Sequence, residues 1–165
     1  MLLRALLGCR SWVEVATVVQ RAGVGRAANV LIGLATGRGL NVGYAGRHRE
    51  ISLLDGAPVV RTNHLPGRAG TAGPLVENSS ARLDTATALV PSVTDTASLL
   101  AVLADRGDPT HPICAPYRPL LGTTVGTVAT VVMDLPARLL HVRRGPDPSQ
   151  PVQRVSIVPT PDASA

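Results

Sequence analysis

A thiol is the first reactive group to consider in this 165-residue chain, which contains two cysteines. Cys114 follows His111 by three residues, and a neighbouring imidazole can activate a thiol as a nucleophile. Cys114, however, lies in a Pro-rich stretch. Cys9 lies within the first predicted helix, inside an apolar pattern, so we expect it to be a small buried residue. The sequence therefore assigns no residue as a nucleophile.

Other catalytic and metal-binding motifs are missing from the sequence. The four histidines and two cysteines show no zinc-ligand spacing. There is no phosphate-binding Gly-Lys-Ser/Thr loop and no Gly-x-Ser-x-Gly elbow. We therefore predict neither a metal nor a bound cofactor.

The charge balance bears on the class of partner. The formal net charge is +5, and every basic side chain apart from histidine is Arg. A basic chain can indicate nucleic acid or another anion. The Arg residues are scattered, though, and aromatic side chains, which stack on bases, make up only 2% of the chain. We predict no nucleic-acid partner, and an Arg-rich anion-binding protein stays as an alternative.

Location follows from cysteine usage and from the apolar stretches. Two cysteines do not make a disulfide framework, so a reducing cytoplasm is expected. The apolar start of the chain is too short for a signal and is interrupted by Arg4. No stretch approaches the roughly 18 apolar residues of a membrane span. We predict a cytoplasmic protein with no membrane partner.

The first half of the chain is predicted to form two short helices and a small sheet. Leucines recur at helical spacing over residues 2–7, and Ser11 fits as the N-cap of a second helix that ends at Arg21. Apolar runs over 29–35 and 40–45, joined by a Gly-rich turn, predict a β-hairpin, and residues 50–54 predict a third strand.

The second half alternates loops with helices and then strands. We predict a loop over 66–78, a helix from Ser79 or Ser80 to Leu89, and a helix over 95–104 capped by Thr94. A second loop is predicted over 105–122. The predicted strands are 123–133, 139–142 and 153–158. The order predicts an α+β fold with antiparallel sheets in one domain, 1–158, followed by a disordered tail, 159–165.

Five segments, taken in order, carry a resemblance to a known family. They are the opening MLLRALLGCRSWVEVATVV, the strand Ala28–Ile32 ahead of a Gly turn, Thr62-Asn63-His64, the Ser-rich helix start Ser79–Leu83 with Arg82, and Ile113-Cys114 with the strands that end at Pro146. Together they resemble the 6-aminopenicillanate acyltransferase (isopenicillin-N N-acyltransferase) family of cysteine N-terminal-nucleophile hydrolases, over about residues 1 to 146.

The resemblance implies a fold and a reaction. The fold would be an αββα sandwich of two antiparallel sheets between helix layers. Autocatalytic cleavage would expose an N-terminal Cys whose thiol attacks an amide carbonyl, with its own α-amino group as base. An acyl-enzyme would form and pass to water or to an amine. The implied partners are a small-molecule amide or acyl donor, with acyl-CoA as a candidate co-substrate.

The resemblance also implies roles for four residues. Asn63 would be catalytic, because a side-chain amide N–H can stabilise the oxyanion of a tetrahedral intermediate. Its alternative role is an Asn that satisfies a turn. Arg82 would orient the nucleophile or hold a carboxylate, with an ordinary surface Arg as the alternative. Asn29 and His64 are candidate substrate-binding residues, with a plain strand-edge Asn and a loop-supporting His as their alternatives.

The sequence departs from the family pattern at several places, one of which is Arg47-His48-Arg49 in place of a more apolar or acidic continuation. The family's cysteine lies upstream of every residue in this sequence. Residues 33–37 replace the family's acidic position in the first hairpin, and 115–117 replace a His that follows the position of Cys114. We therefore expect the C-terminal portion of the enzyme, with a sheet edge left unpaired and the nucleophile on a separate N-terminal half. The alternative is a catalytically inactive remnant or a ligand- or subunit-binding module.

Overall fold

The computed structural model of the chain describes residues 2–22, 28–45, 48–64, 74–120 and 122–157. Its elements are α1 (Leu2–Leu7), α2 (Trp12–Arg21), β1 (Ala28–Gly33), β2 (Arg38–Ala45), β3 (His48–Asp55), α3 (Pro74–Leu89), a 3-10 turn (Val90–Ser92), α4 (Thr96–Val102), β4 (Arg118–Leu120), β5 (Thr123–Val125), β6 (Ala129–Asp134), β7 (Leu139–Arg144) and β8 (Gln153–Ser156).

The described strands form three antiparallel sheets, in the orders β1-β2-β3, β4-β5 and β6-β7-β8. The predicted α+β class is therefore confirmed, and helices beside antiparallel sheets are consistent with a partial αββα sandwich. Residues 158–165 lie outside the described ranges, so the domain boundary and the disordered tail stay predictions.

The main core forms where α2 packs on the central strand of the first sheet. Ser11 caps α2 as predicted, because its hydroxyl accepts a hydrogen bond from the Glu14 backbone N–H at 3.2 Å. Val15 and Val19 lie four residues apart on one face of α2, and both are buried. They join Val42 and Tyr44 of β2 in one buried cluster. A helix stripe thus covers one face of the sheet.

The first sheet confirms the predicted hairpin and third strand. In β1 and β2, Val30 pairs with Val42 and Leu31 with Asn41, so alternate positions face the helices and the opposite side. Gly37 adopts a φ of 82° in the connecting turn, a conformation that glycine reaches without steric cost. The opposite side of β2 carries the polar residue Asn41, which is 1% exposed.

The helix boundaries differ from two predictions. Residues 74–78 were expected in a loop, but α3 begins at Pro74. A proline is tolerated in the first helical turn, where its missing N–H has no partner in any case. Asp95, not Thr94, is the N-cap of α4, and its carboxylate and Ser98 form a capping box. This helix spans Thr96–Val102, so it is shorter than predicted.

The predicted strand over 123–133 is two strands in different sheets. β5 pairs with β4, while β6 pairs with β7. The break falls at Gly126, where an added Cβ would lie only 2.8 Å from the Pro116 carbonyl oxygen. Residues 116–117 pass so close to Gly126 that only a residue without a side chain fits, and the strand is interrupted at this point. The short strand β4 replaces the end of the loop predicted over 105–122.

The prediction that Cys9 is a buried residue of the first helix is wrong. Cys9 follows α1 instead of lying within it, and it is only partly buried. Its thiol donates to the Ala5 carbonyl at 3.4 Å. The helix before it is also less covered than its apolar pattern indicates, because Leu3 and Leu7 are exposed. A six-residue helix has room for one contact stripe, formed here by Leu2 and Leu6.

Candidate functional site

The segment that follows β3 lies against the polar face of the first sheet. The Asn29 Nδ2 group donates to the Thr62 carbonyl at 3.4 Å. With the Asn41 amide turned so that its oxygen faces Arg61, the oxygen accepts from Arg61 at 2.8 Å (Nη2) and 3.2 Å (Nε). Asn41 is buried, so this charged donor satisfies an amide that water does not reach. These bonds place residues 61–62 on the sheet.

The next residues of this segment are held by α3. The Thr62 hydroxyl donates to the Ser79 carbonyl at 2.9 Å. The Ser79 hydroxyl and His64 Nδ1 share a 2.8 Å hydrogen bond, and Thr62 Oγ1 lies 3.2 Å from the same nitrogen. Ser79 is 1% exposed. One buried serine therefore fixes both sides of Asn63, which lies between Thr62 and His64.

Arg82 holds Asn63 itself. Arg82 lies one turn beyond Ser79 on α3, and its Nε donates to Asn78 Oδ1 at 2.9 Å. Its Nη2 donates to Asn63 Oδ1 at 2.7 Å. Burial lowers the pKa of the Arg82 guanidinium from its usual value. Because Asn63 accepts through its oxygen, its Nδ2 group is left as a donor, with no partner in the described part of the chain.

A cleft of about 580 Å³ opens beside this arrangement. The pocket has the size of a typical small-molecule site. Asn63, His64 and Arg82 lie along one wall. The other walls come from the loop before β4 and from the β4-β5 hairpin; these contribute Pro109, Thr110, Pro112, Ile113, Ala115, Pro116, Arg118, Leu120, Val125, Gly126 and Thr127.

Three of the four residues selected from the sequence thus meet at one cleft. Asn29 is the exception: it supports the backbone at Thr62 and is not part of the described lining. A second, more open cleft of about 530 Å³ lies between the β1-β2 turn and β6. None of the four residues lines it.

Neither thiol reaches the cleft. Cys114 is fully buried, and its Sγ donates to the Pro146 carbonyl at 3.1 Å. His111, which could have activated it, instead places Nδ1 3.3 Å from Asp108 Oδ2. Cys9 lies at the junction of α1 and α2, beside a different surface depression. The described lining of the cleft contains polar donors and cations but no nucleophilic thiol.

Two buried residues of the site were missed from the sequence, namely Asn41 and Ser79. Asn41 interrupts the apolar strand at a position that the pairing places opposite the helices. A polar residue inside an otherwise apolar strand was a usable signal. The sequence pattern predicts Ser79 only as a helix cap, whereas it lies inside α3 and bonds to His64. No local pattern indicates that contact.

The described residues provide neither a metal-binding cluster nor a membrane-spanning helix. No group of three or more His, Cys, Asp or Glu side chains among them could hold a metal ion. Within the same ranges, no helix combines the length and apolar character needed to cross a membrane.

Comparison with known proteins gives one decisive match. The model of the family described as acyl-coenzyme A:6-aminopenicillanic acid acyl-transferase matches residues 1–146. The chain belongs to this acyltransferase family. No curated protein matches the sequence significantly. The match takes in every residue of the described cleft lining, from Asn63 to Thr127.

One wall of the cleft combines a hydrogen-bond donor with a cation that orients it. The Asn63 amide is a neutral donor, and Arg82 fixes its orientation through a 2.7 Å hydrogen bond. The geometry is that of a pre-oriented amide at the edge of a small-molecule cleft.

Proposed function

We propose that this protein supplies the oxyanion-binding half of a cysteine amide hydrolase or acyltransferase that acts on amide C–N bonds through an acyl-enzyme. The observation that carries the proposal is the hydrogen bond from Arg82 to Asn63 Oδ1. That bond selects one orientation of the amide and leaves its N–H₂ group for a ligand.

Asn63 and Arg82 have separate roles in the proposed reaction. A thiolate adds to the amide carbonyl, forming a C–S bond and placing negative charge on the carbonyl oxygen. Asn63 Nδ2 donates to that oxygen, an interaction that contributes on the order of 3 kcal/mol in comparable sites. Collapse breaks the C–N bond, and the α-amino group of the nucleophilic Cys, which took the thiol proton, returns it to the leaving amine. Water or another amine then attacks the thioester carbonyl, the C–S bond breaks, and the thiol is regenerated. Arg82 is the positioning residue for Asn63.

The thiol comes from outside this sequence. Cys114 is fully buried and does not line the cleft, and Cys9 lies at a separate surface depression. A segment that carries a nucleophilic Cys, either on a separate N-terminal half or encoded upstream, completes the site in this proposal. Acyl-CoA is a candidate acyl donor or co-substrate. The two free thiols fit a reducing cytoplasm.

The proposal is tested by complementation. The purified chain is mixed with an N-terminal fragment, taken from a family member, that carries its nucleophilic Cys, and amide cleavage is followed by release of the amine. We expect turnover in the mixture only, abolished by iodoacetamide treatment of the fragment. Asn63→Ala should lower it about 100-fold, in line with the loss of one oxyanion donor.

A control separates this route from chemistry by the chain's own thiols. The Cys9→Ser/Cys114→Ser variant should support the same complemented turnover as the unaltered chain. Turnover by the chain alone that disappears in this double variant would refute the proposal. Formation of a stable complex without any turnover would refute it as well.

A second function is favoured by one observation, namely that Cys114 points away from the cleft. The same cleft would then bind an acylated ligand or another subunit without turnover. Ligand binding that Asn63→Ala weakens, together with a complemented mixture that never releases amine, would favour this binding module over the enzyme.

A further inference from the structure

The imidazole of His64 is held on one side by two hydroxyl groups. Its Nδ1 lies 2.8 Å from Ser79 Oγ and 3.2 Å from Thr62 Oγ1. Thr62 donates its hydroxyl proton to the Ser79 carbonyl at 2.9 Å. The Ser79 hydroxyl has no acceptor other than His64 Nδ1 within the described ranges. Ser79 is therefore the residue whose hydroxyl proton is available to the ring.

The burial of Ser79 decides which ring nitrogen carries the proton. Ser79 is 1% exposed, so water does not reach its hydroxyl. If Nδ1 of His64 carried the proton, the Ser79 O–H would be a buried donor without an acceptor, which is costly. With Ser79 as the donor, Nδ1 is the acceptor, and a neutral imidazole that accepts at Nδ1 carries its proton on Nε2. The buried hydroxyl thus selects the Nε2–H tautomer.

The Nε2 atom of His64 lies open at the cleft. It has no hydrogen-bond partner within the described ranges, and it is not one of the buried unpaired polar atoms there. His64 lines the cleft beside Asn63. Because Nδ1 is turned to Ser79, Nε2–H is the polar group of this ring that a ligand can reach.

The wall of the cleft around His64 presents hydrogen-bond donors. The side-chain oxygens of Asn63 and Asn78 both accept from Arg82. The described lining of the cleft contains no acidic side chain. Two neutral donors remain on this wall, namely the Asn63 Nδ2 group and His64 Nε2–H. A pair of donors fits an oxygen with two lone pairs, such as a carbonyl oxygen.

We propose that His64, in the Nε2–H tautomer that Ser79 selects, is a catalytic residue that binds the carbonyl oxygen of the scissile amide as a second donor beside Asn63. The inference rests on the proposed function and adds a residue to its oxyanion site. His64 gives up no proton in this role, because Nε2–H stays intact while the oxygen gains negative charge and loses it again at collapse. A general base would instead need a bare Nε2.

The tautomer is measured on the full chain by nitrogen NMR. The chain is labelled with ¹⁵N-histidine, and the His64 signals are identified by their loss in His64→Gln. We expect Nδ1 of the neutral ring to resonate as a bare nitrogen and Nε2 as a protonated one. In Ser79→Ala, which removes the donor, the Nε2–H tautomer should lose its dominance. The reverse tautomer in the unaltered chain, or an unchanged tautomer ratio in Ser79→Ala, would overturn the inference.

Ligand binding needs no catalytic thiol, so it tests the donor role separately from the enzyme. Octanamide, a neutral amide, is titrated into the labelled chain. We expect the His64 Nε2–H signals to move, whereas those of His141, which is buried on β7 outside the described lining, should stay. His64→Ala should raise the dissociation constant about fivefold, the effect of one neutral hydrogen bond. His64→Gln keeps an N–H donor and should retain most of the affinity. Arg154→Ala, at an exposed position on β8, should leave the affinity unchanged.

The outcomes separate this inference from the proposed function. Octanamide that binds His64→Ala as tightly as the unaltered chain, or that does not bind at all, would overturn the inference. In the complemented mixture, His64→Ala should lower turnover about 100-fold, and full turnover there would overturn it too. A mixture that never releases amine, together with the expected tautomer and the fivefold effect, would support the carbonyl-binding role of His64 and refute only the enzyme.

Discussion

The coupling between Asn63 and Arg82 can be measured directly with a double-mutant cycle. The variants are Asn63→Ala, Arg82→Ala and the two combined. A hydrogen bond to a charged group contributes about 1.5–3 kcal/mol to the free energy of unfolding. Because Asn63 is exposed to solvent, we expect about 1 kcal/mol for its bond to Arg82. Arg82→Ala also removes the bond to Asn78, so it should cost about 2 kcal/mol.

The cycle then predicts a coupling free energy of about 1 kcal/mol, because the double variant loses the shared bond only once. Urea unfolding is followed by circular dichroism and by the fluorescence of Trp12, the single Trp, which packs on the core. The matched control pairs Asn63→Ala with Arg154→Ala, and those effects should add. Effects of Asn63→Ala and Arg82→Ala that add within about 0.3–0.5 kcal/mol would show that the bond does not orient Asn63, and the proposed role of Arg82 would be lost.

Three further predictions concern stability. Burial raises the pKa of Tyr44, against the opposing charge of Arg49, and the Tyr44 hydroxyl has no partner among the described residues. Tyr44→Phe should therefore raise the free energy of unfolding by about 1 kcal/mol; a loss of stability would reveal a partner for the hydroxyl. Gly126→Ala places a Cβ against the Pro116 backbone, so urea unfolding should show a free energy of unfolding lower by about 2 kcal/mol. Calorimetry should show weaker ligand binding in the cleft. An unchanged urea midpoint would contradict the close approach. Backbone N–H groups hold the pKa of three aspartates, Asp95, Asp108 and Asp147, below the usual range. The unfolded chain therefore binds more protons in acid than the folded chain does. The stability that these aspartates contribute is present above a pH of about 4, and it is lost as the pH falls through their lower pKa in the folded state. A urea midpoint that holds steady from pH 5 to pH 2 would contradict this.

Local signals account for the part of the fold that the sequence predicted correctly. The Ser11 cap and the first hairpin depend on interactions between neighbouring residues, which short patterns report. The errors have non-local causes. Gly126 breaks a β-branched run because Pro116 passes beside it in space, and Cys114 turns its thiol to a carbonyl 32 residues away. Neither partner can be read from the neighbouring residues.

For the site, the sequence supplied the side chains and the family pattern: the Thr62-Asn63-His64 run, Arg82 on a helix, and the absence of a suitable thiol. Tertiary structure decided how they act together. Arg82 reaches Asn63 across 19 residues of chain, and Ser79 reaches the two neighbours of Asn63 across 17 and 15 residues. The strand β4 carries Arg118 to the same cleft. The physical reason is that side-chain chemistry is encoded residue by residue. The direction in which the Asn63 amide points depends on a distant guanidinium that only folding brings within hydrogen-bond distance.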